Sequence, residues 1–431
     1  MRVIEPMKVK TIKNKYKIEI WLLLIEFFVM FLYYSRDWVV SYSDLSEHIV
    51  IAKDYIHALA GYFIDHNSIA PVGSTYPVWF LLYCGVYSLC KSESIALGIV
   101  NGALVTLFTA SIIYAFNSLC YDYVIKRWKI IYAIIITFVG PLFVKVINPI
   151  YYLGQITPNP WHNSTTLVVR PVGVLCMVFL LKIIMSRGNG SRKYYVLLAV
   201  CLTITNFCKP SFAQSFIPAL VVLCVILLFN KKIKLDLFHC IYLGIACVPC
   251  VLVMLLQYLI LNTSYKFLKS EIVIGRVAAV SYSNISAIID KPIGGAIGIS
   301  PFKVWSMYSD HIVGSIIISY AFIILVCLFT YKLENYRVFI YFIISSAIGG
   351  IVPAALLYLQ VGTKNFDFMW GAHLMIGLGY VAACILLMNS AKYIKRYQYI
   401  LSNLFLGLHF VYGLCYFVKF AYNHDIFMGL Y

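Results

Sequence analysis

The most constraining feature of this chain of 431 residues is a series of long apolar stretches separated by short clusters of Lys and Arg. A helix needs roughly 20 mostly apolar residues to cross the hydrocarbon core of a bilayer. Because 62% of the residues are hydrophobic and only 12% are charged, a water-soluble fold could not bury them. We therefore predict an all-α polytopic membrane protein with about eleven transmembrane helices, folded as one integral domain over residues 1–431. The stretches lie at about 19–35, 96–118, 129–149, 166–186, 194–208, 212–230, 238–262, 311–331, 338–360, 372–390 and 399–421.

The cationic clusters predict how these helices are oriented. In a water-soluble protein a net charge of +17 would suggest a nucleic-acid partner. Here 21 of the 34 Lys and Arg residues fall in clusters between apolar stretches, which is typical of loops on the cytoplasmic side. Membrane orientation therefore accounts for the charge, and the bilayer rather than nucleic acid is the predicted partner. The clusters are Arg2 to Lys17; Lys126, Arg127 and Lys129; Lys182, Arg187, Arg192 and Lys193; Lys231, Lys232 and Lys234; Lys332 and Arg337; and Lys392, Lys395 and Arg396.

All six clusters can lie on one side only if the apolar stretch from Tyr76 to Cys90 does not cross the membrane. It has fifteen residues, fewer than a span needs, so we predict a re-entrant or juxtamembrane helix. The N-terminus is then cytoplasmic, the C-terminus is extracytoplasmic, and two large extracytoplasmic loops cover residues 36–95 and 263–310. Of the 17 acidic residues, 11 fall on that outer side, so polar chemistry is expected there.

The first outer loop contains a cluster of ionisable residues, Asp44, Glu47 and His48. Apolar residues recur after Asp44 at helical spacing, which predicts an amphipathic helix on the outer membrane surface. Asp44 and Glu47 fit a capping pair at the start of this helix. They fit equally a pair of interfacial carboxylates that act as general bases. The apolar positions are Leu45, Ile49, Ala52, Ile56, Leu59 and Phe63.

An acid shortly after the first span, a surface helix, and then Thr75-Tyr76-Pro77-Val78-Trp79-Phe80 form a layout that resembles the integral-membrane GT-C glycosyltransferases. The resemblance implies a sugar donor carried on a polyprenyl phosphate, and juxtamembrane helices that follow the acid. It also implies that the acid takes the proton of the acceptor hydroxyl in an inverting transfer. This role falls on Asp44, with Glu47 as the substitute, and the absence of an Asp-x-Asp pair leaves open whether a divalent metal takes part.

A second polar cluster lies in the outer loop from Thr157 to Thr165. Two Pro and two Asn residues predict a rigid turn. With His48, we expect Asn159, His162 and Asn163 to contact a sugar or a phosphate, and Trp161 to offer a stacking face for a pyranose ring. The structural alternative is an interfacial Trp161 with Asn side chains that satisfy backbone groups.

Three cations near the outer boundary are candidates for binding a donor phosphate. Lys209 precedes Pro210 at the start of a helix, where free amides favour an anion. Arg170 follows the second polar cluster, and Arg276 lies in the loop 263–310. A guanidinium matches phosphate in two-point geometry, whereas Lys acts as a point charge. Snorkelling to the interface is the structural alternative for Lys209.

Three further ionisable residues, Glu26, His373 and His409, fall inside apolar stretches. Such groups are costly in lipid, and polar contacts between helices explain them as well as function does.

The sequence thus predicts a glycosyltransferase of a bacterial inner membrane. It would move a sugar from a polyprenyl-phosphate donor to an envelope glycan, lipid or protein on the extracytoplasmic face. A polysaccharide polymerase or ligase that uses a pyrophosphate-linked glycan is the nearest alternative, with the basic residues rather than Asp44 essential. A transporter or lipid flippase, and an acyltransferase with His48 or His162 as base, are further alternatives.

Overall fold

The computed structural model describes most of the helical core and parts of the loops. The description covers residues 17–36, 44–53, 55–64, 76–144, 146–147, 161, 163–186, 192–230, 235–273, 297–299, 301–302, 305–307, 309, 311–359 and 367–423.

These residues form fourteen α-helices and one pair of short strands. The helices of the first half are α1 (Lys17–Tyr34), α2 (Asp44–Lys53), α3 (Tyr55–Phe63), α4 (Val78–Cys90), α5 (Glu93–Leu119), α6 (Lys126–Phe138) and α7 (Ser164–Met185). The second half contains α8 (Lys193–Cys208), α9 (Ser211–Phe229), α10 (Leu237–Val273), α11 (Ile312–Thr330), α12 (Arg337–Leu356), α13 (Asp367–Ser390) and α14 (Arg396–Asn423).

Each of the eleven predicted stretches coincides with a helix, but the count of eleven spans is not confirmed. Among the described residues, eight helices are long and apolar enough to cross a membrane, namely α5, α7, α9, α10, α11, α12, α13 and α14. The other three differ for physical reasons: α1 carries three charged residues, whereas α6 and α8 have only 13 and 16 residues. Eight helices of this kind nevertheless make the chain an integral membrane protein.

Helix α6 ends at Phe138, although the sequence predicted a span that continues to residue 149. The stretch from Val139 to Val144 is not helical. Pro141 explains the early end, because proline has no amide hydrogen and disfavours a helical conformation at the residue before it, here Gly140. The break leaves backbone groups in the interior of the helix bundle, and their partners are described below.

The centre of the bundle is formed by α7 and α13. In their most apolar windows 83% and 89% of the residues are buried, against 22% in α10 and 28% in α14. Helix α13 packs against α9, α11 and α12, and α7 packs against α5 and α8. A helix that is apolar on every side is typical of a buried position, as for α7 and α13. The surfaces of α10 and α14 are also apolar but are mostly not covered by protein, so they are expected to face lipid.

The predicted amphipathic segment after Asp44 is helical in α2 and in α3. Leu45, Ile49 and Ala52 are buried, and α2 packs against α4. Ile56, which the pattern placed on the same face, is 56% exposed. The apolar face of α2 is therefore covered by protein, and the placement of this amphipathic segment on the outer membrane surface stays a prediction.

The stretch from Tyr76 to Cys90 contains the short helix α4, which contacts α2, α5 and α7. Its 13 residues extend about 20 Å at 1.5 Å per residue, less than the roughly 30 Å of a hydrocarbon core. This length agrees with a helix that does not cross.

The second predicted outer loop contains structure that the sequence did not predict. Helix α10 continues to Val273, beyond the predicted limit of residue 262. Strand β1 (Ile297–Ile299) pairs antiparallel with strand β2 (Leu357–Leu359), which follows α12 directly. The all-α prediction therefore missed a short two-stranded sheet that joins this loop to the end of α12.

Candidate functional site

The site is organised around the N-terminus of α7, where Asn163 is the N-cap residue. The side-chain oxygen Oδ1 of Asn163 accepts hydrogen bonds from the amide of Thr166 at 3.0 Å and from the hydroxyls of Thr165 and Thr166 at 2.8 Å and 3.0 Å. An Asn at this position satisfies one of the free amides of the first turn. The positive end of the helix dipole remains at this point.

Lys209 places an ammonium group at the same helix end. It lies in extended backbone between α8 and α9 and is 9% exposed. Its Nζ donates to Thr165 Oγ1 at 3.0 Å and to Asn163 Oδ1 at 3.3 Å, and it lies 5.0 Å from the ring centroid of Trp370. A cation beside a helix N-terminus opposes the helix dipole, so this arrangement concentrates positive potential where an anion would be stabilised.

Arg170 brings a second buried cation to the first turns of α7, and it is 8% exposed. Its Nη2 donates to the backbone carbonyl of Thr137 at 3.5 Å, and its guanidinium carbon lies 3.9 Å from the ring centroid of Phe108. The carbonyl of Thr137 belongs to the last turn of α6, where helix carbonyls have no partner within the helix. Arg170 therefore caps the C-terminus of α6, a favourable position for a cation.

A cavity opens beside Arg170 between α5, α6, α7, α9, α11 and α13. Its polar lining includes Arg170, Ser319, His373 and Tyr380, and the apolar residues around them include Phe108 and Phe212. The Nδ1 atom of His373 is buried and has no hydrogen-bond partner among the described residues. Leaving such an atom unsatisfied costs about 1–3 kcal/mol, which a polar ligand in the cavity would relieve.

The non-helical segment after α6 forms one wall of this cavity with Gly140 and Pro141. The amide of Gly140 donates to the carbonyl of His409 at 3.0 Å, and the Nδ1 of His409 lies 2.8 Å from the carbonyl oxygen of Gly140. The hydroxyl of Tyr416 donates to the carbonyl of Pro141 at 2.9 Å. Irregular backbone inside a membrane protein is tolerated where protein satisfies it, so α14 holds this wall in place.

Trp161, predicted to stack on a sugar, is 2% exposed. Its ring centroid lies 5.4 Å from that of Phe138 and 5.0 Å from that of Phe417. The backbone carbonyl of Trp161 accepts a hydrogen bond from the hydroxyl of Tyr34 at 3.0 Å. These contacts are those of a core aromatic residue, and the stacking role stays a prediction.

A second chain of contacts connects α2 to the start of α7. The His48 ring lies 5.7 Å from the Trp79 ring, and Trp79 Nε1 donates to Asn101 Oδ1 at 2.9 Å. Asn101 Nδ2 in turn donates to Ser164 Oγ at 3.2 Å. Ser164 is the first residue of α7, so the helix that carries His48 is tied to the helix end that carries Asn163.

The structure thus brings His48, Trp161, Asn163, Arg170 and Lys209 to the region around the start of α7. Asp44 and Glu47 belong to α2, but their side chains lie outside the described residues, as do Asn159, His162 and Arg276 in full. The roles predicted for these five residues stay predictions.

Sequence reasoning missed Thr165, Asn101 and Trp370, and it left His373 undecided. Asn101 could have been found as an amide inside an apolar stretch, which indicates a buried polar contact. In the part of the chain that the structure describes, no group of three or more His, Cys, Asp or Glu side chains could hold a metal ion.

No family model matches the sequence, and no curated protein does. Among solved structures, the chain is similar to ArnT from Cupriavidus metallidurans bound to undecaprenyl phosphate, with a TM-score of 0.44 and 9% sequence identity over 94% of this chain and 76% of that chain. It is also similar to the archaeal oligosaccharyltransferase AglB from Archaeoglobus fulgidus in complex with an inhibitory peptide and a dolichol-phosphate. That likeness has a TM-score of 0.43 and 11% identity over 94% of this chain and 56% of that chain. Both proteins are GT-C membrane glycosyltransferases, but likenesses at this level assign no activity to the chain.

Proposed function

We propose that this protein is an integral-membrane glycosyltransferase of the GT-C kind. It transfers a sugar from a polyprenyl-phosphate donor to an envelope glycan, lipid or protein on the extracytoplasmic face. The observation that carries the proposal is the presence of two buried cations, Lys209 at the N-terminus of α7 and Arg170 further along α7, with Arg170 on the wall of a cavity of mixed polar and apolar lining. This combination suits a ligand with an anionic head and an apolar chain.

The phosphate of such a donor is the leaving group of the reaction. It needs no added proton, because it is already a good leaving group, but it gains negative charge as the glycosidic bond breaks. Fixed positive groups at that place stabilise the transition state more than the ground state. Lys209 supplies a point charge, Arg170 can offer two-point hydrogen bonding, and His373 on the cavity wall offers a further polar contact.

Asp44 is proposed as the general base, with Glu47 as the substitute. It takes the proton of the acceptor hydroxyl while that oxygen attacks the anomeric carbon in line with the departing phosphate, which inverts the configuration. The support is positional, because the His48 ring of α2 lies against Trp79, which is linked through Asn101 by hydrogen bonds to the start of α7. The donor reaches the cavity from the bilayer.

The first test replaces Lys209 with Met, which keeps the length of the side chain and removes the charge. We expect transfer from radiolabelled polyprenyl-phosphate hexoses and pentoses to fall at least about 100-fold, the typical loss for one transition-state contact. Lys182→Met is the matched control, because Lys182 lies in the last turn of α7, at the end opposite to the one that Lys209 contacts, near the rings of Tyr114 and Tyr194. Transfer by Lys209→Met within threefold of the control would refute the phosphate site.

The second test concerns the base. Asp44→Asn is expected to abolish transfer with little loss of folded protein, because the amide keeps the shape but cannot accept the proton. Glu47→Gln should retain activity if Asp44 is the base, and the reverse pattern would move the role to Glu47. Near-normal turnover in Asp44→Asn together with an inactive Lys209→Met would favour a polymerase or ligase that depends on its cations.

A further inference from the structure

We propose that Glu26, in the middle of α1, is a positioning residue for Arg170. It acts through a chain of hydrogen bonds that crosses three helices and fixes the C-terminal turn of α6, to which Arg170 is bonded. The inference rests on the proposed function in one respect, that Arg170 binds the donor phosphate.

The chain begins at the carboxylate of Glu26. The hydroxyl of Thr109, on α5, donates to Glu26 Oε1 at 2.6 Å. The hydroxyl oxygens of Thr109 and Thr137 are 2.7 Å apart. The carbonyl of Thr137 then accepts from Arg170 Nη2. Four residues from α1, α5, α6 and α7 are thereby linked in one buried network.

The number of protons sets the direction of this network. Each threonine hydroxyl has one proton to donate. If Thr109 donates to Glu26, the contact between the two threonines requires that Thr137 donate to Thr109. The terminal acceptor at Glu26 therefore turns the hydroxyl of Thr137 away from its other acceptor, the carbonyl of Ala133 at 3.0 Å. Without Glu26, both hydroxyls can return to carbonyls of their own helices, since Thr109 also lies 3.5 Å from the carbonyl of Val105.

The position of Thr137 makes this direction important for Arg170. Thr137 lies one residue before the end of α6, where the backbone leaves the helix toward Gly140 and the cavity wall. The last turn of a helix frays easily unless a partner holds it. The same helix α5 that carries Thr109 also carries Phe108, whose ring lies under the Arg170 guanidinium. Fixing Thr137 against Thr109 therefore fixes the two contacts of Arg170 described above, to the Thr137 carbonyl and to the Phe108 ring.

Close packing of α1 on α5 keeps Glu26 within reach of Thr109. A Cβ atom at Gly102 would lie 3.1 Å from the backbone nitrogen of Phe31, and one at Gly98 would lie 2.9 Å from the carbonyl oxygen of Phe31. Small residues at these positions let the two helix backbones approach closely. An acidic side chain inside an apolar helix is energetically costly in a membrane. The hydrogen bond to Thr109 gives Glu26 a polar partner there.

The test measures anion binding directly, with dodecyl phosphate titrated into the purified protein in detergent. Glu26→Leu removes the terminal acceptor and is expected to weaken binding about tenfold, the upper range for loss of one ordered contact. Glu26→Gln keeps an acceptor oxygen and should stay within about twofold of the parent chain, since an amide oxygen still accepts from Thr109. Thr109→Val should match Glu26→Leu, and the double variant should be no weaker than either single variant, because both changes break one chain.

Thr106→Val is the matched control, because Thr106 lies one turn earlier on α5 and bonds only its own helix carbonyl at Gly102 among the contacts described. Equal losses in Glu26→Gln and Glu26→Leu, or additive losses in the double variant, would overturn the proposal. If Glu26→Leu fails to fold, the binding of dodecyl phosphate by Thr109→Val still tests the proposal. Hydrogen exchange of the segment 136–144 should rise in Glu26→Leu and Thr109→Val but not in Thr106→Val or Glu26→Gln. This readout needs neither sugar transfer nor phosphate binding, so a failure of the proposed function leaves the positioning role separately testable.

Discussion

At the scale of single residues, the closest contact of the cavity wall depends on Gly413 in α14. A Cβ atom there would lie 1.7 Å from the carbonyl oxygen of Phe138 and 2.6 Å from the amide nitrogen of Gly140. Both of these atoms are backbone, so no side chain can move aside. The absence of a side chain at Gly413 therefore lets α14 reach the broken end of α6, where His409 and Tyr416 satisfy the freed backbone groups.

Replacing Gly413 with Ala should lower the thermal unfolding temperature of the detergent-purified protein, since forcing atoms into a packed contact costs typically 1–3 kcal/mol. Gly407→Ala is the matched control on the same helix, because nothing lies within 4 Å of a Cβ atom at that position. There Ala should be neutral or stabilising by roughly 0.5–1 kcal/mol, as Gly is a poorer helix residue. Equal unfolding temperatures for the two variants would contradict the close contact.

At the scale of elements, a buried polar contact joins the short helix α4, on which α2 packs, to the bundle. Trp79 and Asn101 are both 0% exposed, and the indole of Trp79 donates to the amide oxygen of Asn101. The ion pair between Lys53 and Glu93 also joins α2 to the start of α5, but both side chains are substantially exposed. Exposed pairs contribute about 0–1 kcal/mol, so the buried contact should hold these helices more strongly.

Trp79→Phe should therefore destabilise the attachment of α2 and α4, because it leaves the Asn101 oxygen unsatisfied at a cost of about 1–3 kcal/mol. Hydrogen exchange of residues 44–53 should increase. Trp128→Phe provides the control, since Trp128 is 43% exposed on α6, and Lys53→Met should give only a small increase. A larger effect for Lys53→Met than for Trp79→Phe would show that the ion pair is the main attachment.

At the scale of the whole molecule, the proposed chemistry requires Asp44 and the loop with Lys126 and Arg127 to lie on opposite sides of the membrane. In the proposed topology α5, which is long and apolar enough to cross, is the span between them, whereas the 13-residue helix α4 is too short to cross. Fusions of a periplasm-active phosphatase after residue 92 should be active, and fusions after residue 124 should be inactive. Finding Lys126 and Arg127 on the same side as Asp44 would remove the proposed orientation and the base with it.

Much of the fold could be predicted from the sequence, because apolar length alone decides which segments are membrane helices. The shortness of α4 and the packing positions Leu45, Ile49 and Ala52 also followed from local pattern. The end of α6 could not be predicted by apolarity, since Pro141 stops the helix within an apolar run. Likewise, the strand pair of the second loop depends on contacts with a distant segment.

Of the candidate site, the sequence by itself determined the residue types: a cation before a helix-starting proline at Lys209, an amide side chain in an outer polar cluster at Asn163, and an arginine about two turns further on at Arg170. Only the tertiary structure decided that Lys209 contacts Asn163, that Arg170, His373 and Tyr380 line one cavity, and that Glu26 is bonded toward Arg170. The physical reason is that capping and membrane burial act within a few residues of the chain, whereas this convergence depends on how helices pack. Which residues contact a given helix surface is fixed only when the other helices of the bundle pack against it.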